Sequence, residues 1–295
     1  MSDDRKSRKP GEPETTGHEW DGIQEYNNPL PRWWLWIFYA TIIWGIGYTI
    51  AYPAWPGINK ATPGLLGYSS RAEVAEEIAA AEAANAEINE RLVNASLTEI
   101  PDDPELRQYA VQAGDSVFQT WCAQCHGAGA AGVQAAGYPN LLDDAWLWGG
   151  TIEEIHHTIA HGIRNEDDPD ARWSQMPAFG ELLPEEEIDQ VVNYVMQMSG
   201  QEPRDAAAAE AGAEVFEINC AACHGAEGGG DEFQGAPALN DPIWLYGGDY
   251  ETLHETVTYS RFGVMPAWQP RLEEHEIRAV ALYVHQLGGG EESPE

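Results

Sequence analysis

Twenty consecutive positions, Trp33 to Tyr52, carry no charged side chain. Wound as an α-helix they reach roughly 30 Å, the thickness of a bilayer's hydrocarbon core. Trp33, Trp34 and Trp36 stand at one end and Tyr48, Tyr52 and Trp55 at the other, where aromatic side chains sit at the two membrane interfaces. Pro53 and Pro56 end the run. A cleaved signal has a shorter apolar stretch, roughly 7–15 residues, followed by a small-x-small site. Tyr-Pro-Ala-Trp-Pro follows here instead, so the pattern predicts an uncleaved transmembrane helix over residues 33–53. Arg5, Lys6, Arg8, Lys9 and Arg32 precede the span, and only Lys60 follows it closely, which sets the N-terminus inside.

On either side of the span the pattern changes. Residues 1–32 are polar and broken by Gly and Pro, which predicts a mostly flexible cytoplasmic tail. Residues 54–103 form a connector. Its second part, about Ser70 to Val93, is rich in Ala and Glu and is expected to be helical, with a thin apolar stripe of Val74, Ile78, Ile88 and Leu92. Further on, apolar residues recur at i, i+3, i+4 and i+7, and little of the chain alternates as a strand would.

From residue 104 the chain is a duplication. Gly114, Val117 and Phe118 match Gly212, Val215 and Phe216. Trp146-Leu147-Trp148-Gly149-Gly150 matches Trp244-Leu245-Tyr246-Gly247-Gly248 at the same offset of 98, and His156 matches His254. The offset falls to 89 at Met176 and Met265, so the first copy carries about nine extra residues near Asn165 to Trp173. Each copy predicts a first helix, a Gly-rich loop, a short helix after a Gly-Gly pair, a Met-Pro-Ala loop and a last helix. The last helices start after Pro184 and near Glu273 and run to Gly200 and Gly288. Gly114 and Gly212, one turn before a Phe, allow a close helix crossing. The expected boundaries are 104–201 and 202–290, with a C-terminal tail over 291–295.

All four cysteines lie in two motifs, Cys122-Ala-Gln-Cys125-His126 and Cys220-Ala-Ala-Cys223-His224. C-x-x-C-H is the attachment signature of c-type haem: the thiols add across the vinyl groups and the His becomes an axial iron ligand. A four-cysteine zinc site would set its pairs roughly 15–20 residues apart, whereas Cys122 and Cys220 are 98 apart. A redox pair of the thioredoxin kind wants a βαβ context that is missing here, and two disulfides would leave the repeated His unexplained. Two covalently attached haem c groups are therefore expected.

The second axial ligand must come from elsewhere. Met176 and Met265 occupy matching Met-Pro-Ala loops, and a thioether is an established partner of His on c-type iron. Met196 and Met198, on a last helix without counterparts in the other copy, are assigned to packing. The simple pairing sets Met176 with His126 and Met265 with His224; a crossed pairing between packed domains is the alternative. His156, His157, His161 and His254 are rival ligands or propionate partners, while His18, His275 and His285 read as solvated or structural. Trp146, Trp244, Arg164 and Arg261 are candidates to line the haem pockets or pair propionates, with core packing the plainer role for the tryptophans. Iron closed on both faces by His and Met leaves one-electron transfer as its chemistry.

The formal net charge is −34, from 49 acidic and 15 basic residues. That excludes nucleic acid as a partner, which would need a basic face. It favours a basic donor, although an acidic surface also serves solubility or a saline habitat.

The stretch Trp20-Asp-Gly-Ile-Gln-Glu-Tyr-Asn-Asn-Pro-Leu-Pro-Arg-Trp-Trp34, followed by one span, a connector and two C-x-x-C-H domains, resembles the dihaem subunit III of cbb3-type cytochrome c oxidases, the CcoP or FixP type. The resemblance covers about Trp20 to Leu287. It implies a mainly α fold: one N-terminal transmembrane helix and two tandem class I cytochrome c domains. It implies two haem c on Cys122, Cys125, Cys220 and Cys223, with axial ligands His126, Met176, His224 and Met265. It also implies a non-catalytic subunit of a proton-pumping respiratory complex in the bacterial inner membrane, its haem domains periplasmic. Such a subunit takes electrons from a donor cytochrome c and passes them to the monohaem subunit and the O₂-reducing haem–copper subunit. The stretch Asp21–Trp34 is then an assembly or docking feature at the cytoplasmic face. A dihaem carrier for another periplasmic dehydrogenase or reductase, and a gas sensor whose Met dissociates, are the alternative classes.

Overall fold

The computed structural model of the chain describes residues 13–294. The basic cluster Arg5, Lys6, Arg8 and Lys9 and most of the first half of the N-terminal tail lie outside the described residues, as does Glu295. The chain divides after Ala84 into two compact units.

In the first unit the tail is not featureless. β1 (Thr15–Trp20) and β2 (Ile23–Tyr26) form an antiparallel hairpin, pairing Trp20 with Ile23 and Glu19 with Gln24. Its turn is Asp21-Gly22, both left-handed at φ 52° and 83°, the conformation that lets two strands join through two residues. α1 (Arg32–Ala51) follows, bounded as the uncharged run predicts. It is long and apolar enough to cross a membrane, and none of its residues is buried by the rest of the protein. α2 (Ser70–Asn94) is the Ala/Glu-rich helix and crosses the division between the units.

The second unit holds the duplication. α3 (Pro104–Val117) is capped by Asp103, whose carboxylate accepts from the Glu105 and Leu106 amides. It runs through a π-helical turn at Phe118–Cys122 into the short α4 (Ala123–His126). α5 (Ile152–His161) starts on a capping box between Thr151 and Glu154. α6 (Glu185–Met198) ends the first copy. α7 (Ala206–Asn219), α8 (Ala221–His224), α9 (Tyr250–Tyr259) and α10 (Glu274–His285) repeat the series.

The packing does not follow the division at 201/202. α10, the last helix of the second copy, packs on α3 and α5 of the first, and α6, the last helix of the first, packs on α7 and α9 of the second. One core joins Phe118, Ile155 and Ile159 to Ile277, Val280 and Val284. Another joins Phe216 and Leu253 to Val191, Val192 and Val195. The two copies are tandem in sequence but exchange their last helices in space. Gly114 sets α3 directly against the Ala279 carbonyl of α10, and Gly212 sets α7 against the Gln190 carbonyl of α6. Met196 is buried in the second core and Met198 packs at its edge. The residues after α10 do not form a loose tail: the Glu291 amide donates to the Gly150 carbonyl at 2.8 Å and Ser293 to Glu153 at 2.6 Å.

Candidate haem sites

Each C-x-x-C-H motif sits where a first helix unwinds into a single further turn, so both cysteines and the His project from one short segment. All four cysteines are free thiols. Burial pushes Cys122 and Cys220 up to about 11, so both are held as neutral thiols.

The two histidines are set alike. His126 Nδ1 lies 3.3 Å from the Pro139 carbonyl, and His224 Nδ1 lies 2.9 Å from the Pro237 carbonyl. A carbonyl only accepts, so Nδ1 carries the proton and Nε2 is left as the metal-binding atom. Burial depresses both pKa values and favours the neutral ring that a metal needs.

Each cavity draws its methionine from the other copy. Cys122, His126 and Phe118 share theirs with Met265, Val280 and Val284. Cys220, Cys223 and His224 share theirs with Met176, Val191 and Val195. The Met loops are pinned by matching contacts: Met265 and Ile163 exchange both backbone hydrogen bonds, at 2.9 and 3.0 Å, and the Ser260 hydroxyl donates to the Met176 carbonyl. The methionine beside His126 is thus Met265 and the one beside His224 is Met176, the placement of the crossed arrangement and not of the simple pairing, because each Met lies next to the last helix that follows it.

The rival histidines have other partners. His156 Nε2 lies 3.1 Å from Glu274 on α10, and His254 Nε2 lies 3.4 Å from Asp189 on α6. Both pairs tie a short helix to the exchanged last helix. His161 meets Asp168, a buried carboxylate in the nine-residue excursion of the first copy that also accepts from Asp170 and Gln269. His157 lies 3.1 Å from the Asp170 carbonyl, and His285 from the Glu291 carbonyl at 2.9 Å. Trp146 and Trp244 line the two cavities; the Trp146 indole donates to the Gly289 carbonyl at 2.6 Å. Arg164 and Arg261 both line the cavity of His224.

Four buried donors, Trp148 Nε1, Thr158 Oγ1, Arg164 Nε and Arg172 Nε, have no acceptor among the described residues. Trp148 and Thr158 line the cavity of His126, Arg164 lines that of His224, and Arg172 stacks on the Trp148 ring at 5.8 Å. Buried donors are normally paired. Together with apolar walls, a free Nε2 at each site, and the thiols of Cys122 in one cavity and of Cys220 and Cys223 in the other, they fit a large apolar group that carries acceptors at its edge, which is the chemistry of a haem with its propionates. In the sequence Trp148 stands only as part of the duplicated motif, where it matches Tyr246; no pattern there assigns it to a cavity. Tyr246, its counterpart, lies against Gly137 as Trp148 lies against Gly235, so the copies meet through equivalent contacts.

Comparison with known proteins yields two matches to sequence families. Residues 12–59 match the family described as the N-terminal domain of cytochrome oxidase-cbb3, FixP. Residues 110–195 and 207–284 match that of cytochrome c oxidase, cbb3-type, subunit III. The chain is 61% identical over 293 residues, 99% of its own length and 100% of the relative's, to the cbb3-type cytochrome c oxidase subunit CcoP of Cereibacter sphaeroides. It is 55% identical to the CcoP subunit of Rhodobacter capsulatus, with 97% and 100% covered. It is 54% identical to the FixP subunit of Sinorhizobium medicae, with 94% and 95% covered.

Proposed function

The chain belongs to the family of subunit III of the cbb3-type cytochrome c oxidases, and from that premise we propose that it is the electron-entry subunit of such an oxidase. It carries two covalently attached haem c, takes electrons from a donor cytochrome c and delivers them to the monohaem subunit, and so to the haem–copper subunit that reduces O₂. The observation that carries this reading is the pair of matched cavities: His126 shares one with Met265 and His224 shares the other with Met176, and neither lining contains a further histidine.

In this reading Cys122 and Cys125 bind one haem and Cys220 and Cys223 the other. His126 and Met265 would hold the iron of the first, and His224 and Met176 that of the second. When bound, each haem supplies a one-electron couple, and a thioether ligand favours the ferrous state. The protein does the rest. Pro139 and Pro237 orient the imidazoles, and the exchanged helices line the cavities with Val191 and Val195 or with Val280 and Val284. α1 anchors the chain in the bacterial inner membrane. The basic residues before it keep the N-terminus cytoplasmic and put both haem sites on the periplasmic side. The acidic surface suits a basic donor.

The test is to delete this chain from the assembled oxidase and assay two donors. Oxidation of a reduced cytochrome c should be lost, while O₂ reduction from a small artificial donor that reaches the remaining subunits should persist. Unchanged cytochrome c oxidation would contradict the role, and so would failure of an affinity tag on this chain to bring down a haem–copper subunit.

A further inference from the structure

The two cavities differ in charge. The cavity of His126 is lined by no ionised side chain: its unpaired lining donors, Trp148 Nε1 and Thr158 Oγ1, are neutral, and Arg172, whose Nε is also unpaired, stands against the Trp148 ring at 5.8 Å and outside the lining. The cavity of His224 is bordered by two guanidinium groups. Arg261 is accounted for: it pairs with Glu255 at 3.2 Å and donates to the Thr252 carbonyl at 2.8 Å. Arg164 is not. Its Nη1 reaches the Gly263 carbonyl at 3.3 Å, its plane lies 5.8 Å from the Phe262 ring, and its Nε is buried without an acceptor. No carboxylate among the described residues forms an ion pair with it, and burial pulls its pKa down.

Arg164 reaches that cavity by an uncommon backbone conformation. It is left-handed at φ 51°, rare for a side chain other than glycine. Its neighbour Ile163 lines the cavity of His126 while Arg164 itself lines the cavity of His224. A segment of the first copy thus delivers a cation to the second copy's site. Arg164 is half-buried with its Nε fully shielded; a guanidinium so placed lacks both water and a counter-anion on that side, and its planar fork matches a carboxylate.

We infer that Arg164 pairs with a propionate of the haem attached at Cys220 and Cys223 and thereby raises the reduction potential of that site alone. An uncompensated propionate favours ferric iron; a guanidinium against it cancels that field. The inference rests on the proposed haem attachment and crossed axial ligands.

The test is a redox titration of the purified full-length chain carrying Arg164→Gln or Arg164→Lys, with haem content measured on a denaturing gel. The wave that moves when Met176 is replaced identifies the His224 site. In R164Q that wave should shift down while the other stays, and R164K, which keeps charge but loses the fork, should recover part of the shift. Resonance Raman bands of the propionates should change at one haem only. Movement of the other wave, no movement of either, or R164K behaving like R164Q would overturn the assignment to Arg164. If R164Q loses the second haem, R164K decides: it should retain that haem at a potential close to wild type, and a loss there too contradicts the role of charge. Absence of covalent haem from the wild-type chain, in contrast, would sink the proposed function itself.

Discussion

At Gly114 the α-carbon hydrogen is in effect a packing residue. A Cβ there would stand 2.7 Å from the Ala279 carbonyl carbon, and backbone on both helices leaves nothing flexible to yield. Gly114→Ala should cost about 1–3 kcal/mol, the usual range for overpacking. In a unit of this size that is a fall in melting temperature of ~2–4 °C per kcal/mol. A scanning-calorimetry trace identical to wild type would show that α3 and α10 do not cross there. His156 supplies a second residue-level test. Burial holds it below the ordinary 6.5, against the opposing pull of Glu274. The unfolded chain therefore protonates first as pH falls, so stability is full above that value and declines below it. His156→Gln should flatten part of the decline in melting temperature between about pH 7.5 and pH 5; an unaltered slope would mean that His156 does not titrate on unfolding.

Among the elements, the helices were legible from periodicity and caps. The apolar span, the Ala/Glu-rich helix and the last helices fall within three residues of where their patterns end. The hairpin before the span carries a local signal only in its Asp21-Gly22 turn; its strands, exposed along nearly their whole length, lack the alternation that marks a half-buried sheet. The structure gathers His126 with Met265 and His224 with Met176 in shared cavities, whereas the sequence left the simple and the crossed pairing both open. Two copies so alike present nearly equivalent docking faces, and periodicity does not tell a last helix which first helix to choose. A fragment ending at residue 201 tests the exchange. If α6 belongs to the second copy, residues 104–201 alone lack a partner for α3 and should not give a cooperative melt. The span from residue 85 to the C-terminus should give one. A stable 104–201 fragment with a thioether-ligated haem would contradict the exchange.

On the scale of the whole molecule, charge and connectivity act together. A net charge of −34 on 295 residues makes encounter with a basic donor strongly dependent on salt. Second-order rates of electron uptake from such a donor should fall steadily as ionic strength rises past about 0.1 M, where the screening length shrinks to roughly 10 Å; a flat profile would show that the acidity serves another end. Connectivity makes the two proposed haem sites one structure, since each cavity is lined by cysteine from one copy and methionine from the other. The most direct measurement is made on a chain with Cys220→Ala and Cys223→Ala, which keeps only the haem of His126, by recording the long-wavelength sulfur-to-ferric-iron absorption band. Replacing Met265 should abolish that band and replacing Met176 should leave it intact. The reverse result would contradict the crossed sites.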